Sequence, residues 1–335
     1  MRRRACAGPN PPQSADVTAS WDSTFVMGPL SRCLSILVYH RVVPEPDPLV
    51  PDAVCAKEFD WQLAVLNRWF TVLSLREATA RLRNRTLPVR AACVTFDDGY
   101  ADNVTVALPF LRRRRLPATF FLATAFLNGG RMWNDSVIET VRRVRGDTLD
   151  ARCLGLGRLL VSSIDLRRQA IASLLEAIKY LPLEERQGRV EELGSGLSRD
   201  LPLDLMMTAE QVRYLHACGM EVGAHTVSHP ILAKLDPERA SMEIREGKKR
   251  LEAITGAPVS LFAYPNGKPG RDYRTEHVGM VKQLGFEAAV STAWGVARAA
   301  SDPFQLPRFT PWDRTPGRFL LRLMQNTFRT DVERV

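Results

Sequence analysis

The sequence predicts an α/β chain folded as a distorted (β/α) barrel with a helical insertion, and three observations carry that expectation. Short apolar runs recur along the chain, and most lead into a polar or chemically equipped residue. Helical patterns with start and stop signals lie between them. The equipped residues fall at the carboxyl ends of the expected strands, which is the face where such barrels build their sites.

The first run, Leu34 to Tyr39, leads into His40. Runs this short and this apolar suit strands buried on both faces of a parallel sheet. Lys57 to Phe70 follows with a helical pattern, Ala92 to Phe96 leads into Asp97, and Ala118 to Ala123 is a further strand. From Arg131 to Met207 the rhythm breaks. No convincing strand is visible there, while Asp135–Arg145 and Leu166–Leu181 have helical patterns, so 131–207 is expected to be a helical insertion. Thr208 with Gln211 fits a capping box, and Gly219 stops that helix directly before Met220 to Ala224, which leads into His225. Asp236 and Pro237 open a helix that Gly256 closes. Ser260 to Tyr264 then enters Pro265-Asn266-Gly267, Tyr273 to Leu284 is a helix ended by Gly285, and Phe286 to Ser291 is a strand.

At 335 residues, 45% hydrophobic and 25% charged, the chain can bury one barrel-sized core, expected over residues 31–330. Residues 1–30 read as a disordered tail, because Asn10-Pro11-Pro12-Gln13 intervenes where the apolar core of a signal peptide would stand. With no such leader visible, a cytoplasmic location is the expectation. No apolar run approaches the roughly eighteen residues that a transmembrane segment needs. The net charge of +9 is largely arginine, concentrated in Arg2–Arg4 and Arg112–Arg115. No aromatic-interleaved basic stripe accompanies it, so a nucleic-acid partner is not expected. The six cysteines are widely spaced with no Cys-x-x-Cys pair and read mostly as free thiols.

Two motifs carry chemistry: Thr95-Phe96-Asp97-Asp98-Gly99-Tyr100 and His225-Thr226-Val227-Ser228-His229-Pro230. Alone, the first could be a turn or helix cap, and the second two histidines on one helix face. Pro230 argues against a helix, since the residue before proline avoids the α region. Together they supply a carboxylate and two imidazoles, a mixed oxygen and nitrogen set that suits zinc or a similar divalent metal ion, with a second carboxylate left to act as base. An amine leaving group would also need a proton donor. Of the remaining histidines, His216 and His277 lie inside helices and only His40 ends a strand.

These motifs, with Tyr39-His40-Arg41-Val42 and Phe262-Ala263-Tyr264-Pro265-Asn266-Gly267, resemble the polysaccharide deacetylase family with the NodB homology domain, carbohydrate esterase family 4. The resemblance spans about residues 33–310, most strongly 90–310, and implies a barrel of the polysaccharide deacetylase type. It further implies a metal-dependent hydrolase that removes N-acyl groups from amino sugars of a glycan or a lipid-linked saccharide. In that family the first aspartate of the pair is the base and the second ligates the metal, which implies Asp97 as base and Asp98, His225 and His229 as ligands. Tyr100 would lend its backbone N–H to the oxyanion. Tyr264, Pro265, Asn266 and Trp133 are the implied substrate contacts.

The chain departs from the family at Ala263, where an arginine commonly orients the base, and at Leu306-Pro307-Arg308-Phe309, which lacks the late histidine of many members. Asn266 stands where an aromatic residue is common. An exopolysaccharide deacetylase subset with an early Tyr-His segment is more similar, which makes His40 the expected acid, and Arg308 is the candidate replacement for the missing guanidinium. Two other readings stay open: a glycan-binding relative with weak turnover, and an amidohydrolase of a small non-sugar amide.

Overall fold

A computed structural model describes residues 32–195, 201–329 and 332–335, so the expected tail at 1–30 lies outside the described residues. Seven parallel strands form the barrel: β1 Leu34–Tyr39, β2 Ala91–Phe96, β3 Thr119–Leu122, β4 Glu221–Ala224, β5 Leu261–Ala263, β6 Ala288–Trp294 and β7 Leu306–Arg308. They neighbour one another in chain order. Leu37 bridges Phe309, with Phe309 N–H donating to Ile36 O at 2.7 Å and Val38 N–H to Phe309 O at 3.0 Å, so the last strand returns to the first and the ring is nearly closed.

Side-chain alternation divides each strand between two cores, as a period of two requires. Ile36, Cys93, Phe121, Ala263 and Val290 fill the barrel interior, whose base is plugged by Leu75, Ala78 and Leu82 of helix α2, Leu75–Arg83. Leu37, Val94, Phe120 and Phe262 face outward against the helices. Phe121 occupies so much of the interior that a Cβ on Gly223 of β4 would meet its ring at 2.5 Å, so this position admits only glycine. Glu221 ties the barrel base to α2, accepting from Leu75 N–H at 2.9 Å and from the Thr119 hydroxyl at 2.7 Å.

The outer helices for which the sequence carries signals follow them within two residues. Helix α1 is Ala56–Trp69 and α3 is Leu108–Arg114. Helix α7, Ala209–Ala217, has its Thr208–Gln211 capping box, and α8, Pro237–Thr255, is capped by Asp236 and ended by Gly256 at φ 68°. Helix α9 is Thr275–Gln283 and α10 is Pro316–Asn326. The five described cysteines are free.

Between β3 and β4 the chain builds a satellite with a core of its own, including Val137, Val141, Leu149, Ile171, Leu174 and Leu193. It contains α4 Trp133–Arg143, α5 Ile164–Lys179 and α6 Leu183–Leu193. The expectation that this stretch holds no strand is corrected. Thr148–Asp150 and Arg158–Leu160 pair as an antiparallel hairpin, too short for alternation to stand out. Helix α6 also escaped the reading, because its Glu- and Arg-rich pattern buries only Arg186, Val190 and Leu193.

Candidate active site

The site sits on the carboxyl rim of the barrel. Asp97 continues the inward phase of Cys93 and Thr95, so its carboxylate points into the barrel mouth and is 2% exposed. Arg308, at the end of β7 and equally buried, grips it from across the mouth: Nη1 donates to Oδ1 at 2.7 Å and Nη2 to Oδ2 at 2.6 Å. The guanidinium is itself held by Ser291 O at 2.8 Å. Burial works to raise the Asp97 pKa, but the charge and hydrogen bonds of Arg308, together with the His225 and His40 imidazoles, outweigh it and hold the carboxyl below its ordinary value. A guanidinium fork therefore stands at the acid although Ala263 has none.

Asp98 and Gly99 turn the chain sharply, with φ of 75° and 95°. A Cβ on Gly99 would also press on Leu122 Cδ2 at 3.1 Å, so this second left-handed residue is glycine. The turn directs Asp98 to the two histidines. Its Oδ1 lies 3.5 Å from His225 Nε2 and 3.4 Å from His229 Nε2. His225 continues β4 and sets its ring with Nδ1 at 2.8 Å from Ala263 O, which fixes that nitrogen as the donor and turns Nε2 toward Asp98. Burial pushes the His229 pKa down to about 3, whereas at His225 the Asp98 and Asp97 carboxylates outweigh burial and hold the pKa above its ordinary value. One carboxylate oxygen and two imidazole nitrogens thus converge, and the buried Asp98 Oδ1 has no hydrogen-bond partner. A cation fits this donor set, and no side-chain donor in the site replaces it.

The loop carrying the histidines is held from below. Glu243 of α8 accepts from Val227 N–H at 2.9 Å, Ser228 N–H at 2.8 Å and the Ser228 hydroxyl at 2.7 Å. Thr226 and His229 adopt positive φ, 68° and 52°. Pro230 does keep His229 out of a helix, but the residue turns left-handed. Glu243 belongs to neither sequence motif. Its signal was a carboxylate within the buried stripe Ala240, Ile244, Gly247 and Leu251.

His40 projects from the end of β1, its carbonyl accepting from Asn103 Nδ2 at 2.8 Å. Arg41 beside it pairs with Asp102 at 2.7 Å and lies over the Tyr100 ring. The Tyr100 hydroxyl donates to Asp135 of α4 at 3.2 Å. On either side of Tyr100, Gly99 O accepts from Met207 N–H and Ala101 N–H donates to Leu205 O, and the Tyr100 N–H between them takes no part in that ladder.

His40, Asp97, Asp98, His225 and His229 all border one cavity of about 740 Å³, with Trp133 and Asn266 on its walls. Tyr264 and Pro265, expected from sequence as substrate contacts, are not among the residues that line it. Ala263 faces inward, so Tyr264 faces outward, where its ring stacks on Tyr273 at 3.9 Å and its hydroxyl donates to Phe304 O.

Comparison with known proteins gives a consistent picture. A family model described as "Polysaccharide deacetylase" matches residues 84–148 and 186–289, half of the chain. YxkH of Bacillus subtilis, which carries a polysaccharide deacetylase name, is 21% identical over 277 residues, 82% of this chain and 70% of the relative. Among solved structures, the Streptococcus pyogenes deacetylase PplD in complex with acetate is similar with a TM-score of 0.58 at 21% identity, covering 87% of this chain and 98% of that one. IcaB from Ammonifex degensii gives 0.57 at 21% identity, covering 88% and 97%. These two likenesses concern the fold.

Proposed function

This chain belongs to the polysaccharide deacetylase family and is a hydrolase of carbon–nitrogen bonds, and we propose that it removes N-acetyl groups from amino sugars within a glycan, using a divalent cation held by Asp98, His225 and His229. The observation that carries this reading is the pairing of a buried Asp-His-His cluster with a second carboxylate, Asp97, clamped by Arg308 in the same cavity. A pure metal binder has no use for the second carboxylate.

When bound, the cation supplies Lewis acidity toward the acyl oxygen and toward water, and zinc suits the two imidazoles and one carboxylate. Asp97 takes the proton of the attacking water, and Arg308 keeps it ionised and fixed in orientation. Water oxygen bonds to the acyl carbon, and the Tyr100 N–H is free to donate to the oxygen that becomes negative. The carbon–nitrogen bond then breaks, His40 protonates the departing nitrogen, and acetate and a free amino sugar result. His40 on the first strand, ahead of the Asp-Asp strand, is what favours the exopolysaccharide deacetylase subset. A cavity of about 740 Å³ lies well up the usual range for ligand sites, which favours a saccharide over a small amide. Trp133 and Asn266 would form its walls against the sugar.

The test is to supply acetylated chito-oligosaccharides with zinc or cobalt and measure acetate together with free amine. Release of both in equal amounts is expected. His40→Ala should lower turnover by about 10²- to 10⁴-fold, the usual contribution of a general acid, and unchanged turnover would remove His40 from that role.

A further inference from the structure

One wall of the cavity is not part of the family pattern. The family match skips residues 149–185, yet Lys179 and Tyr180 from that stretch border the cavity that holds Asp97 and Asp98. Arg271, in the loop after β5, faces them, its guanidinium 4.3 Å from the Tyr180 ring centre, and Lys179 Nζ lies 5.6 Å from the same ring. Behind Trp133 stands a third cation, Arg186 of α6, which is 5% exposed and 5.3 Å from the Trp133 ring.

Among the described residues none of these three cations forms an ion pair. Other surface arginines nearby do: Arg168 of α5 reaches Asp165 at 3.1 Å, and Arg239 of α8 reaches Glu184 of α6 at 2.9 Å. Burial lowers the pKa of both Lys179 and Arg186, the direction expected of cations withdrawn from water without a partner. The Asp272 carboxylate opposes this at Lys179, while the Lys268 and Arg271 charges act in the same direction as burial. Glu176, one turn before Lys179, is exposed at the cavity lip, where solvent screens it more than it screens half-buried Lys179. The Asp97–Arg308 pair is neutral as a unit. The wall therefore carries a net positive field into the cavity, with cations laid on aromatic faces and their outer sides left for an anion.

We propose that this wall selects an anionic glycan, with Lys179 and Arg271 receiving a carboxylate or phosphate borne by a sugar next to the N-acetylated residue that is hydrolysed. The inference rests on the deacetylase reading for its substrate, but not for its test. Lysine and arginine that merely cover Tyr180 with their aliphatic stems would look similar and would show no preference between ligands.

The experiment compares binding of three probes to the zinc-loaded full chain by calorimetry: neutral chitotetraose, a tetrasaccharide of alternating N-acetylglucosamine and N-acetylmuramic acid, and chitotetraose phosphorylated at a 6-hydroxyl. The carboxylate probe, the phosphate probe or both should bind about ten-fold tighter than the neutral one, the order of one charge-assisted hydrogen bond. That advantage should shrink as salt is raised. It should disappear in Lys179→Gln with Arg271→Gln and return with Lys179→Arg, with thermal melting used to show that each variant is folded. Equal affinity of the wild type for all three probes, or an advantage that survives the double substitution, would overturn the proposal. Acetate release is followed in parallel. Its absence from every probe would overturn the deacetylase reading while leaving the binding comparison intact.

Discussion

Asp97 and Asp98 are neighbours in sequence with opposite surroundings. Asp97 is gripped at both oxygens by Arg308, whereas Asp98 keeps one buried oxygen without any hydrogen-bond partner. The same residue type thus meets two different surroundings because a positive-φ turn at Asp98 aims the second side chain away from the first. For Asp97 the folded pKa lies below its unfolded value of about 3.9. The pair therefore contributes stability that is present at neutral pH and lost only as pH falls through the folded value. Arg308→Ala leaves a buried carboxyl with burial as its dominant influence, so its pKa rises relative to the wild type. The acid limb of kcat/KM should move to higher pH by on the order of 1–3 units, with a loss of about 3–5 kcal/mol of stability from the orphaned charge. A pH–rate profile and a denaturant melt read both, and an unmoved acid limb would show that Arg308 does not govern the base. The four residues of the two motifs and Arg308 were all named from sequence. The last was the least legible, because 211 positions separate Arg308 from Asp97 and only closure of the ring brings them together.

Elements place these residues through simple periodicities, and the legible parts of the fold are those with strong ones. The strand runs were legible because two buried faces demand unbroken apolar sequence, and helices α7 and α8 because caps mark their ends. Tyr264 misled because being near a motif is not the same as being in phase with it: the alternation that sends Ala263 inward sends Tyr264 outward. The hairpin at 148–160 and α6 were illegible for want of pattern, since their burial is supplied by the satellite core. Glu243 shows what one residue of an element does for the site, because α8 presents it under the histidine loop and three donors converge on it. Glu243→Ala should lower zinc affinity by about 10- to 100-fold, the usual cost of losing an outer support of a metal ligand, while far-UV circular dichroism stays that of the wild type. A chelator competition assay would check this, and unchanged affinity would mean that the loop holds its shape without Glu243.

At the scale of the whole molecule, the parallel ring collects residues from far-apart strands onto one rim. His40, Asp97, His225 and Arg308 come from β1, β2, β4 and β7, so closing the sheet assembles the site. The satellite between β3 and β4 adds the wall that the family match lacks. No helix among the described residues is long and apolar enough to cross a membrane. Lys179 of that wall and Arg271 opposite it bring positive charge to the cavity, in addition to the sequence clusters at Arg2–Arg4 and Arg112–Arg115. The central claim is that Asp98, His225 and His229 hold the cation while Asp97 works beside it as base. The most direct measurement is zinc content per chain together with acetate release in the Asp97→Asn variant. One zinc per chain with turnover reduced by about 10²- to 10⁴-fold is the predicted result, and full turnover, or loss of the zinc with the substitution, would contradict the account.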